Sequence, residues 1–249
     1  LLNWMARAVQ KPDTPGQTAI VLRGESGTGK SFFARKFGDI WGRHFLQVSD
    51  AKHLVGSFNA HLRDCVVLFG DEAFFAGDKR HESVLKTLVT EDQIMIENKG
   101  VDAEVSNNFI HLIMASNSDW VVPTGPTERR FFVLDVSSKR RQDHDYFRRI
   151  DQDMRNGGSE ALLDFLLRMD ITGFNVRKVP TTRALIEQKL HTMDPIHMWW
   201  LHRLEEGSLA EHRTAWDEGV VEVQELGQDY TDHLRQYGGG IYQRGSADK

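Results

Sequence analysis

The residues best suited to chemistry lie in the run GESGTGKS, from Gly24 to Ser31. In a G-x-x-x-x-G-K-[ST] pattern, Gly24 and Gly29 permit backbone conformations that aim successive N–H groups at phosphate oxygens, with Glu25, Ser26, Gly27 and Thr28 between them. Lys30 would then neutralise the β- and γ-phosphates, and the Ser31 hydroxyl would ligate magnesium, so ATP and Mg2+ are the expected ligands. An acidic pair, Asp71 and Glu72, follows about forty residues later at the end of the apolar run CVVLF. Beside such a loop, the first carboxylate would hold the magnesium shell and the second would polarise the attacking water. A glycine loop alone serves kinases and switch GTPases as well; the added glutamate tilts the reading toward ATP hydrolysis. Asn117 ends another apolar run, where a neutral amide can reach both γ-phosphate and water, although an Asn in a strand-ending turn is common. Arg129 and Arg130 follow a Pro/Gly loop, a place from which a guanidinium can protrude into a neighbour's nucleotide site.

These residues need a scaffold, and the pattern supplies one. TAIVLR at 18–23 reads as a strand that feeds the glycine loop, and 31–41 as the helix after it. Strands are expected at 45–48, 65–69, 109–117 and 130–136; the continuous apolar character of CVVLF and FIHLIMASN fits a parallel sheet covered on both faces. Alternation on either side of Asn98–Lys99–Gly100 predicts a hairpin over 93–105. Helices are expected at 1–9, 81–89, 144–155, 159–169, 181–192 and 195–205, and the polar, glycine-punctuated remainder gives no clear pattern.

With 249 residues, 40% of them hydrophobic, the chain can bury a substantial core. Its apolar runs are too short to span a membrane, and a single cysteine, Cys65, excludes an internal disulfide framework. No Cys/His cluster has zinc-ligand spacing. The reading is of an intracellular protein. A net charge of −5 argues against a globally basic nucleic-acid-coating surface, so any DNA contact must be local. Positive charge gathers at Arg129, Arg130, Lys139, Arg140, Arg141, Arg148 and Arg149, which also fits a solvated helix face. A start without Met in an amphipathic stretch suggests a piece of something longer.

The ordered series GESGTGKS, CVVLFGDE, LKTLVTEDQIMIENKG, IMASN and ERRFF resembles the superfamily 3 helicases, in particular the helicase part of phage and large-DNA-virus primase-helicases. The resemblance covers residues 1 to 205 and implies an AAA+-type hexameric ring that moves 3′ to 5′ on single-stranded DNA. Within it Lys30 and Ser31 match the Walker A pair, Asp71 and Glu72 the Walker B pair, and Asn117 the sensor; Arg130 best matches the arginine finger, with Arg129 second. It also assigns Lys99, at the hairpin tip, to the DNA backbone, and Lys86 falls in the same pattern. Taken alone, each is an ordinary surface lysine. The tip carries glycine after Lys99 where some relatives have a second basic or aromatic residue, and the expected upstream primase part and helical collar are absent.

The expected fold is thus α/β: a P-loop NTPase with an AAA+-like parallel sheet flanked by helices and a C-terminal helical bundle. The expected divisions are an ATPase core at 1–140, the bundle at 141–205, and an extension or accessory domain at 206–249. The function implied is an ATP-dependent helicase or translocase of viral or prophage replication, in the cytoplasm of a bacterial host. Its rival is an AAA+ ATPase that remodels or loads protein partners. Trp199 and Trp200, with Trp41, Trp120 and Trp216, are read as core rather than base-stacking residues, and 53–62 as either a subunit-facing segment or a helix-turn-helix core.

Overall fold

The computed structural model describes residues 1–56, 58–73, 79–122, 124–125, 128–208 and 221–237, with backbone only at 55 and 79–81. In chain order the elements are α1 (Leu2–Gln10), β1 (Ala19–Arg23), α2 (Lys30–Gly38), β2 (Phe45–Val48), α3 (Lys52–Val55), β3 (Val67–Asp71) and α4 (Lys79–Thr90). There follow β4 (Gln93–Ile96), β5 (Glu104–Asn107), β6 (His111–Ser116), β7 (Phe131–Asp135), α5 (His144–Asp153), α6 (Ser159–Arg168), α7 (Arg183–His191), α8 (Pro195–Glu206) and α9 (Val223–Tyr237).

Five strands form one parallel sheet in the order β2-β3-β6-β1-β7. Both β1 and β6 are buried at every residue, as continuous apolar runs require when helices cover both faces. One apolar layer joins Val21, Leu68, Leu112 and Val133 to Leu85 and Leu88 of α4 and to Ala184 and Leu185 of α7. The other joins Ile20, Phe69 and Ile113 to Trp4 of α1, Phe37 of α2 and Leu166 of α6.

The chain separates into two compact units, residues 1–189 and 190–249. The expected division between 140 and 141 falls inside the first of these units. Leu166 of α6 is buried against the layer that contains Trp4, and Gln10 Nε2 donates to the carbonyls of Leu166 and Met169 at 2.8 and 2.9 Å. Helices α5, α6 and most of α7 therefore belong to the sheet unit. In the second unit α8 and α9 pair through Trp199 and Tyr230, whose rings are 5.6 Å apart, and the Trp199 indole donates to Asp229. Trp199 is buried while Trp200 is exposed; Trp216 lies outside the described residues. The segment 53–62 holds α3 and a short 3-10 turn, with Leu54 and Leu62 in the core.

The hairpin β4–β5 pairs Gln93 with Asn107 and Ile96 with Glu104, so its second strand starts at Glu104 and the connection runs from 97 to 103. Within it Val101 N donates to the Asn98 carbonyl at 3.2 Å around Gly100, whose φ is +78°. Ile94 and Ile96 anchor the hairpin in the core, and Lys99 is exposed at the turn.

Candidate functional site

Parallel strands carry their connecting loops at the carboxyl edge of the sheet, the usual place for a ligand in an open α/β fold. Three neighbouring strands end there in polar residues: β1 in the glycine loop, β3 in Asp71 and Glu72, and β6 in Ser116 and Asn117. Because β6 lies between β1 and β3, side chains distant in sequence meet across one strand spacing.

The loop is held in its turn by backbone that side chains tolerate poorly. Gly24, Gly27 and Gly29 have φ of +152°, +80° and +99°. Lys30 opens α2, and its buried ammonium donates to the carbonyls of Gly24 (2.6 Å) and Glu25 (2.8 Å) and to Asn117 Oδ1 (2.6 Å). Burial lowers the Lys30 ammonium below its ordinary value, while the nearby Glu72 and Asp71 carboxylates oppose that shift. Ser31 Oγ donates to Asp71 Oδ1 at 3.0 Å, and Gln47 Nε2 holds the second Asp71 oxygen at 3.1 Å. Glu72 sits at φ +56°, a strained conformation for a non-glycine residue. Its carboxylate accepts from Ser116 Oγ at 2.9 Å and from the Asn117 amide at 2.8 Å. Lys30, Ser31, Asp71, Glu72 and Asn117 all line one cleft of about 640 Å³, within the size range of small-molecule sites.

The opposite wall of that cleft escaped the sequence reading. The segment after β7 crosses the glycine loop: Gln142 N donates to the Gly27 carbonyl at 2.9 Å, and Arg141 pairs with Glu25. The Phe147 ring covers Gly29, where a Cβ would stand 2.6 Å from Cε1, and packs on Phe32 at 5.2 Å. Gln142, His144 and Phe147 line the cleft. Arg23, the last residue of β1, fixes the start of the loop by donating to both Asp135 oxygens (2.6 and 3.1 Å) and pairing with Glu187 of α7.

The donors suit the ligands expected from the sequence. The side-chain oxygens of Ser31 and Asp71 are hard and adjacent, and Mg2+ takes one or two protein oxygens together with phosphate oxygens. Among the described residues no cluster of three or more His, Cys, Asp or Glu forms a metal cage of its own.

Arg129 and Arg130 do not reach this cleft. They line another at the opposite edge of the sheet, where the Arg130 carbonyl accepts from Ala19 N at 2.7 Å at the start of β1. Arg130 is half-buried and held by both Glu128 oxygens at 3.1 and 3.0 Å, whereas Arg129 is exposed. Lys86 spends its charge on Glu82 one turn earlier in α4, and Lys99 stands separately at the hairpin turn.

The model of a family of unknown function, DUF5906, matches residues 22–130, which include the glycine loop, Asp71, Glu72, Asn117 and both arginines. A DNA primase-polymerase of Nitratiruptor phage NrS-1 is 23% identical over 194 residues, which are 75% of this chain and 26% of that protein. The apo structure of the NrS-1 C-terminal region superposes with a TM-score of 0.68 at 18% identity, covering 93% of this chain and 57% of that one. An A-form apo structure of the same region gives a TM-score of 0.70 with equal coverage. The chain shares the fold of that region. It spans about a quarter of the length of the phage primase-polymerase it matches. Among the described residues no helix is long and apolar enough to cross a membrane.

Proposed function

We propose that this chain is an ATP-hydrolysing motor module of phage DNA replication, of the superfamily 3 helicase type. The observation that carries the reading is the convergence of Lys30, Ser31, Asp71, Glu72 and Asn117 in one cleft at the ends of three adjacent strands. The likeness to a phage DNA primase-polymerase supports a replication setting in the host cytoplasm.

In this reading Gly24 to Gly29 wrap the phosphates, Lys30 exchanges its carbonyl and Asn117 partners for phosphate oxygens, and Ser31 with Asp71 hold the magnesium. Bound magnesium supplies neutralising charge on the phosphates. Glu72 is the base that orients water, and Asn117, released from Lys30, turns its side-chain amide to the reaction centre. The Glu72 carboxylate must first leave Ser116 and the Asn117 amide. Arg130, with Arg129 beside it, serves a neighbouring copy in a hexameric ring, which agrees with its distance from its own chain's cleft. Lys99 contacts the single-stranded DNA backbone as the strand is drawn 3′ to 5′; Lys86, already paired with Glu82, contributes less.

The test is turnover with and without single-stranded DNA. Glu72→Gln should keep nucleotide affinity and lose turnover by on the order of a thousandfold, while Lys99→Ala should keep basal turnover and lose DNA stimulation. Lys30→Ala and Arg130→Ala chains, each inactive, should recover activity when mixed. Absence of recovery with assembly confirmed by light scattering would remove the shared site. ATPase activity indifferent to DNA would favour a protein remodeller or loader.

A further inference from the structure

Helix α7 carries two consecutive polar residues, Glu187 and Gln188, and neither lines the cleft that holds Lys30. Gln188 is fully buried, on the same face of α7 as Ala184 and Leu185, which belong to an apolar layer. A carboxamide in such a layer is costly unless its polar atoms are hydrogen-bonded. Here it grips one stretch of backbone from both sides. Gln188 Nε2 donates to the Asp119 carbonyl at 2.5 Å, while Oε1 accepts from the amides of Val121 at 2.7 Å and Val122 at 3.3 Å.

That stretch begins two residues after Asn117, whose Oδ1 accepts from the Lys30 ammonium. The Asp119 carbonyl is held a second time, by Arg23 Nη1 at 3.3 Å. Arg23 immediately precedes Gly24, and its guanidinium also pairs with Asp135 and with Glu187. One carbonyl thus ties the segment after β6 to the end of β1, and α7 holds both, through Gln188 on one and Glu187 on the other. Asn117 is exposed, and its own amide donates to Glu72. When the Glu72 carboxylate leaves that amide to meet water, the grip on Asp119 is what keeps Asn117 in register with the cleft.

We infer that Gln188 is a positioning residue for Asn117: by fixing the backbone from Asp119 to Val122, it sets where the Asn117 carboxamide stands relative to Lys30. Glu187 supports it through Arg23. The inference rests on the ATPase reading for its effect on turnover, and on the hydrogen bonds alone for its effect on Asn117.

The experiment uses the full chain. Gln188→Met keeps the length of the side chain and removes its hydrogen bonds to the loop. It should lower kcat for ATP on the order of tenfold with KM within about threefold of native, because reacting groups tolerate little misplacement and the glycine loop is untouched. In an Asn117→Ala background the same substitution should take nothing further from the residual turnover, since the group it positions is gone. A merely structural role would lower the melting temperature and reduce turnover equally in both backgrounds. The second measurement needs no nucleotide. In chains isotopically labelled at asparagine, the side-chain amide resonance missing from Asn117→Ala belongs to Asn117, and Gln188→Met should shift it. Should Gln188→Met fail to melt cooperatively, Gln188→Glu replaces it: this side chain keeps the shape and the accepted bonds but turns a carboxylate oxygen on the Asp119 carbonyl, and should shift the same resonance. An unmoved Asn117 resonance in the folded variant, an unchanged kcat, or an equal loss of turnover with and without Asn117 would each overturn the inference. If the native chain hydrolyses no ATP, the ATPase reading falls, and the resonance alone decides whether Gln188 positions Asn117.

Discussion

At the first residue of β6 the imidazole of His111 is fully buried, edge-on to Trp4 at 5.7 Å, with Nδ1 3.0 Å from the Phe109 carbonyl. That contact places the proton on Nδ1 and leaves Nε2 buried without a partner among the described residues. Burial holds the imidazole down to about 4 from its usual 6.5, and the positive charge of Arg7 adds to the effect. The unfolded chain therefore binds this proton first. Stability is fully present above pH 6.5 and is lost as pH falls toward 4; the gap between the two values corresponds to about 3 kcal/mol. Urea midpoints should drop between pH 7 and 5, and His111→Gln should flatten that dependence. An unchanged slope in the variant would assign the acid sensitivity to other groups. Nothing in FIHLIMASN marks His111 as special: position within a buried strand is readable, but the missing acceptor for Nε2 is not.

The elements whose burial is decided locally were the readable ones. Runs such as TAIVL and FIHLIMA must be covered on both sides wherever they sit, so β1 and β6 follow from composition alone. The glycine loop is legible because its conformation is written in its own residues. The strap at 141–147 is not, since Arg141 meets Glu25 and Phe147 meets Gly29 across more than a hundred positions, contacts with no periodicity to announce them. Helix α9 was missed because its polar surface hides the buried His233. The strap makes a prediction at this scale. In Gly29→Ala the new methyl would meet Phe147 at 2.6 Å and would require φ of +99°, so nucleotide binding should fail and stability should fall by more than about 1 kcal/mol. Adding Phe147→Ala makes space without correcting the dihedral. Fluorescent nucleotide titration should therefore find the double variant impaired too; full recovery would show that crowding alone matters there.

On the scale of the whole molecule, both apolar layers draw all their buried members from residues 1–189. A chain ended after Thr192, beyond the last turn of α7, should therefore fold cooperatively and keep nucleotide affinity within about threefold of the full chain, a change of less than ~1 kcal/mol. Loss of cooperative melting would show that α8 and α9 stabilise the sheet unit. One feature of that sheet also gives the molecule a direction. Ala19 at the start of β1 is hydrogen-bonded to Arg130, and Lys30 follows the loop at its end, so a rigid spacer of five residues, about 16 Å, separates the arginine cleft from the glycine loop. Copies joined edge to edge would all point the same way, like arrows nose to tail. A head-to-tail repeat of that kind leaves no tip idle only where the rotation between copies closes a circle.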